Sequence, residues 1–160
     1  MTSDAKHIEY LLQAIAVSAS SKASGNHPFG AILVGPEDDV LMEQENAFGA
    51  HSDGTAHAER VLMTRASIEY DAAFLSKCTI YSSAEPCAMC SGAIYWAGVG
   101  RVVYGLSEAA LGAHIGPHPE NLTMNLPCRT VFEAGQRVVE VIGPLVEAEA
   151  LEVHKGFWTD

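Results

Sequence analysis

The sequence predicts an α/β fold in which helices are layered on a single sheet. Three observations carry that expectation. Short apolar runs of strand length alternate with segments of helical spacing. A chain of 160 residues, 48% of them apolar, is long enough to bury one core. No internal repeat, low-complexity tract or long linker divides it, so residues 1–160 are expected to form one domain.

The elements follow in order. From about Ser3 to Ser21, Ile8, Leu11, Leu12, Ile15 and Ala19 recur at helical spacing. Gly25, His27 and Pro28 break that pattern. Phe29 to Val34 reads as a buried strand, and Val40 to Glu45 pairs with it across the turn residues Gly35 to Asp39. Thr55 to Ser67 is a second helix with Val61 and Leu62 facing inward, and Cys78 to Ser83 a third strand. A third helix starts at Pro86, whose missing N–H suits a first-turn position. Arg101 to Leu106 and Val138 to Ile142 complete five strands. Gly143-Pro144 opens a last helix that runs to about His154 and ends at Gly156.

The third helix carries Met89, Ala93, Ile94, Tyr95, Trp96, Ala97 and Val99, which leaves little polar face. A helix apolar all round must be covered on more than one side. Its own chain could supply that cover, or a second copy in a homodimer.

Charge and composition restrict the function. Twenty Asp and Glu stand against nine Lys and Arg, a formal net charge of -11. Surfaces that track a phosphate backbone are basic, so this balance argues against nucleic acid and favours a small, uncharged or weakly charged substrate. No apolar run approaches a membrane span. Asp4, Lys6 and Glu9 interrupt any signal-peptide core, so a soluble cytoplasmic protein is expected. The four cysteines, Cys78, Cys87, Cys90 and Cys128, do not suggest a secreted disulfide framework. A single Cys-x-x-Cys in such a chain is a redox site or half of a metal site.

His57-Ala58-Glu59 at the start of the second helix favours the metal reading. With Cys87 and Cys90 of Pro86-Cys87-Ala88-Met89-Cys90, His57 makes a three-ligand zinc site whose fourth position is open to water. Cys87 and Cys90, three apart, share one face of a first helical turn, where unpaired N–H groups favour thiolates. His57 and Glu59 are two apart, a poor spacing for one helical face, so His57 must project from before the helix start. Glu59 then lies beside the bound water without being a ligand and can accept its proton. His-x-Glu followed by Pro-Cys-x-x-Cys is a signature of zinc deaminases.

On these residues the chain resembles the cytidine-deaminase-like superfamily, in the branch of guanine, cytosine and tRNA adenosine deaminases. Phe29-Gly30-Ala31, Asn46, Thr55 to Glu59, Glu85 to Cys90 and Gly92-Ala93-Ile94 all look like that branch. The resemblance implies a three-layer α/β/α sandwich around a mixed five-stranded sheet. It implies hydrolytic deamination with release of ammonia, zinc on His57, Cys87 and Cys90, and Glu59 as proton shuttle. It also implies base contacts from the Asn46 side chain and from the backbone near Ala58 and Glu85. Ala93 to Ala97 is similar to the run guanine deaminases carry, and Glu108 resembles their second acidic residue near the substrate. Guanine therefore leads among nucleobase and nucleoside substrates. A tRNA adenosine deaminase and an inactive zinc-stabilised binding module are the alternatives. Phe157-Trp158 should be docked, either patching the core or closing over the base, and Trp158 is counted with the substrate-binding residues. Cys78 and Cys128 read as structural, and His51, His114 and His118 as solvated loop histidines.

Overall fold

The structure, a computed structural model, describes residues 3–159. A five-stranded sheet runs in the order β2-β1-β3-β4-β5. Its strands are β1 (Gly30–Val34), β2 (Val40–Glu45), β3 (Thr79–Ala84), β4 (Arg101–Leu106) and β5 (Glu140–Ile142). β1 is antiparallel to both β2 and β3, whereas β3, β4 and β5 are mutually parallel. The sheet is mixed, as expected.

Alternation along the strands assigns the two faces. Ala31 and Leu33 of β1, Ile80 of β3, and Val102 and Tyr104 of β4 face one side. There they meet α3 (Ala58–Glu69) through Leu62, Met63 and Ala66, α5 (Ala88–Ala97) through Ile94, and α7 (Cys128–Glu133) through Phe132. The intervening residues Ile32, Val34, Tyr81 and Val103 face the other side, against Tyr10, Leu11, Ala14 and Val17 of α1 (Asp4–Ala23). Ala150 of α8 (Glu147–His154) packs with Ile15 and Leu106 on that same side. β1 and β3 are buried at every position. Both faces of these strands are covered, and β1 accordingly reads as an unbroken apolar run. Gly30 shows how closely α1 lies on the sheet. A Cβ there would sit 2.8 Å from the Ala14 carbonyl oxygen.

Several boundaries differ from the sequence expectation. Short helices α2 (Phe48–His51), α4 (Ala72–Leu75), α6 (Glu108–Ile115) and α7 occupy stretches without a clear period. The last helix starts at Glu147, not at Gly143, because Gly143 and Val146 take positive φ. Leu145 instead bonds backward, its N–H donating to the Tyr104 carbonyl at 3.2 Å. Pro86 lies outside α5, one residue before its N-cap Cys87. Within its own chain α5 is not covered all round. Only Cys90, Ser91 and Ile94 are buried, and Trp96 is 85% exposed. Ala93, Tyr95 and Ala97 are partly covered by the core, and the outer face of α5 is left open at Trp96.

Candidate metal centre and active-site cleft

Parallel β3 and β4 end together at Ala84 and Leu106, and open α/β sheets place ligands beyond the carboxyl ends of such strands. Two helix N-termini arrive at that end. His57 is the N-cap of α3, with φ -64° and ψ 151°, and Cys87 is the N-cap of α5, with φ -66° and ψ 174°. Both caps are extended, so each side chain leaves its helix before the first turn begins. His57 thus projects past the start of α3, as the two-residue spacing to Glu59 requires.

His57 Nδ1 and Cys87 Sγ are 3.6 Å apart. Ligand atoms of His57, Cys87 and Cys90 all lie within 4.8 Å of one another. Tetrahedral zinc, with Zn–S about 2.3 Å and Zn–N about 2.0 Å, spaces neighbouring ligands about 3.5 Å apart. One imidazole and two thiols at this separation fit zinc. Among the described residues no other His, Cys, Asp or Glu joins the cluster. The Cys87 thiol is pulled down to about 4, first by the hydrogen bond from the Cys90 thiol and then by His57. A cysteine so placed is readily a thiolate, the form a metal takes.

Glu59 is in the first turn of α3 and only 4% exposed. Ser82 Oγ donates to its Oε1 at 2.6 Å, which fixes the carboxyl beside the ligands. Burial raises its pKa, because a charge loses hydration there, and the Ser82 bond opposes the rise. A carboxyl that holds its proton more tightly than an ordinary one suits proton transfer.

The cleft over this centre is lined by His57, Glu59, Cys87, Asn46, Glu85, Glu108 and Trp158 from the expected set. Ala58 is not a lining residue. Its place is in the core, where α3 packs on the sheet. Asn46 is buried and its Oδ1 accepts the Phe48 N–H at 3.0 Å. Glu108 begins α6 and does not lie in a loop. Ser107 caps that helix by accepting the Ala110 N–H. Burial, with the charges of Cys87, Glu85 and Glu59, pushes Glu108 up to about 7. Cys78 and Cys128 are buried core thiols, as expected.

The histidines differ from expectation. His51 closes α2 and His114 lies in the last turn of α6, both exposed. His118 is buried, its ring 5.2 Å from that of Trp158. Sequence reading also missed His27, Phe29, Leu111, Glu120 and Asn121 as cleft lining. They come from segments without periodicity. His27 Nε2 lies 3.8 Å from Glu120 Oε1 across the lining.

Trp158 occupies both places expected for the tail. It lines the cleft and is also only 7% exposed, against the rings of His27, Phe29, His118 and His154. Its Nε1–H donates to His154 Nδ1 at 3.0 Å. Wall and core patch are therefore one residue. Trp158→Ala is expected to cost about 3–5 kcal/mol of stability, as truncation of a buried Trp does, and to raise KM. A variant with wild-type melting and KM would contradict both roles. The anchor is also acid-sensitive. Burial lowers His154 from 6.5 to about 4, so the fold holds it neutral as a hydrogen-bond acceptor. Its contribution to stability is full above pH 6.5 and is lost as pH falls through about 4.

Residues 4–106 match the cytidine and deoxycytidylate deaminase zinc-binding region. Over 158 residues the chain is 42% identical to a probable cytosine deaminase of Schizosaccharomyces pombe, covering 96% of this chain and 93% of that one. It is 36% identical over 99 residues to a guanine deaminase of Bacillus subtilis, covering 61% of this chain and 63% of the relative. The fold superposes on the crystal structure of guanine deaminase from Nitrosomonas europaea with a TM-score of 0.73 at 24% identity, over 90% of this chain and 80% of that one.

Proposed function

The chain belongs to the cytidine and deoxycytidylate deaminase zinc-binding family, and from that premise we propose that it deaminates a small free nucleobase, guanine first. It is a zinc-binding hydrolase of cyclic amidine C–N bonds. The observation that carries the finer reading is the make-up of one cleft, with Glu59 beside the three metal ligands and Glu108 opening α6 on the same lining.

His57, Cys87 and Cys90 would hold zinc, which would supply a water of lowered pKa and a positive charge for the oxygen on which negative charge develops. Glu59 takes a proton from the attacking water as the water oxygen bonds to the amine-bearing carbon, and hands that proton to a ring nitrogen of the base. Its Oε1 is engaged by Ser82, which leaves Oε2 to take and give the proton. The same carboxyl then takes the proton of the newly added hydroxyl and gives it to the exocyclic amine, so that the C–N bond breaks, ammonia leaves and a ring carbonyl remains. One group serves both steps because its proton state alternates. Asn46, with its Oδ1 bound to the Phe48 N–H, is left with its amide N–H₂ for a base acceptor. Glu108, poised near pH 7, can accept an N–H of the base or assist the proton to the departing amine. Trp158 and His27 wall the cleft against water.

Four carboxyl groups, Glu59, Glu85, Glu108 and Glu120, line this cleft, and no Lys or Arg is among the described lining residues. Such a lining repels phosphate and suits an N–H-rich, uncharged base, which weighs against a tRNA substrate. The open position beside three ligands weighs against a purely structural zinc module. Cytosine is the second reading, because the relative matched along nearly the whole chain is a probable cytosine deaminase. The proposal takes residues 1–160 as one deaminase domain and the protein as a cytoplasmic homodimer. Its four cysteines are free of disulfides, and α5 presents exposed Trp96 on an apolar face. No described helix is long and apolar enough to cross a membrane.

Ammonia release by zinc-loaded protein tests the reading against guanine, cytosine, isocytosine, an aminotriazine, their nucleosides and a tRNA anticodon stem-loop. The highest kcat/KM is expected for guanine. Turnover of the stem-loop with none on any free base or nucleoside would reverse the ranking.

A further inference from the structure

We propose that the Glu85 side chain is a positioning residue for the reaction, holding Glu108 over the metal centre by clamping two helix starts with one buried carboxylate. Glu85 Oε1 accepts the backbone N–H of Glu108 at 2.9 Å, and Glu85 Oε2 accepts that of Cys128 at 2.8 Å. Those donors are the first residues of α6 and α7. First-turn N–H groups have no partner within their own helix, so a carboxylate satisfies two of them at once.

The placement gives the clamp its consequence. Glu85 follows the last residue of β3, and its own N–H donates to the Leu106 carbonyl at 2.7 Å. It is therefore fixed to the sheet on one side and stands two residues before the metal ligand Cys87 on the other. α6 is attached to β4 through Ser107 alone. Without a tie at the Glu108 N–H, the direction of the first turn of α6, and with it the Glu108 carboxyl, is less determined. Glu85 is 8% exposed, so the charge is held by these donors and not by bulk water. The neighbouring Cys128 thiol is pushed up to about 12, mainly by burial and then by the Glu85 charge, and stays neutral. The base contact expected near Glu85 concerns its backbone, so the side chain is free for this separate role.

The inference rests on Glu108 acting on the substrate, and a double-mutant cycle separates the two ideas. Glu85→Gln keeps the shape but turns an N–H₂ toward one of the two N–H donors. It is expected to lower kcat/KM on the order of 10- to 100-fold, as a small misplacement of a reacting group does, with zinc content unchanged. In a Glu108→Gln background the same change should lower kcat/KM less than twofold, because the group it positions is already gone. Melting temperature should fall in both backgrounds alike, since the clamp also joins two helices. Equal fold-losses in kcat/KM in both backgrounds, or wild-type kcat/KM in Glu85→Gln, would overturn the positioning role. Wild-type kcat/KM in Glu108→Gln alone would instead overturn the role of Glu108. Should Glu85→Gln fail to fold, Glu85→Asp keeps the charge and withdraws the carboxylate by one methylene, and the same cycle applies.

Discussion

Cys90→Ala is expected to yield a protein without zinc and without measurable deamination. Cys90 is fully buried in the first turn of α5, and its sulfur is one of three ligand atoms grouped within 4.8 Å. Removing one of three protein ligands leaves two, and a catalytic zinc site built on three has no spare. Cys87→Ala should behave the same way, since Cys87 shares both the helix start and the contact with His57. Stability should fall along with the metal, because an ion that binds the folded chain contributes its binding free energy to folding. Cys78→Ala is the control. That thiol is buried in the core, hydrogen-bonded to the Phe74 carbonyl, so its loss should lower the melting temperature and spare the zinc. Metal analysis of the three purified variants decides the matter. Full occupancy in Cys87→Ala and Cys90→Ala would show that other groups hold the ion.

Glu59→Gln is expected to keep the fold and the zinc while losing about 10²–10⁴-fold in kcat, the usual contribution of a positioned acid/base. Gln preserves the shape and can still accept the Ser82 hydroxyl bond. It cannot take up a proton, so both transfers assigned to Glu59 fail together. Single-turnover rates with metal content measured on the same sample test this. A variant with near wild-type kcat would move the proton chemistry to another residue, with Glu108 the next to examine.

Much of this site was legible because its parts are local. Cys87 and Cys90 share one turn, and His57 and Glu59 share one helix start, so spacing alone fixed what each pair could face. The cleft lining was less legible for the opposite reason. His27, Glu120 and Asn121 come from two separate irregular segments. Periodicity carries no information there, and their proximity is a property of chain path. The Ala58 side chain packs in the core, and the base contact expected near it concerns its backbone.

The sequence by itself determined the α/β class, the five strands and the metal chemistry, because two-residue and 3.6-residue periods and ligand spacing are written over short distances. Only the tertiary structure decided three other matters. It brought the tail back so that Trp158 is wall and core patch together. It left Trp96 exposed on the outer face of α5, although the composition of that helix suggested cover. It also turned the Glu85 carboxylate onto the starts of α6 and α7. Each depends on which distant segments meet, and that is settled by packing the whole core at once, where no local pattern records it.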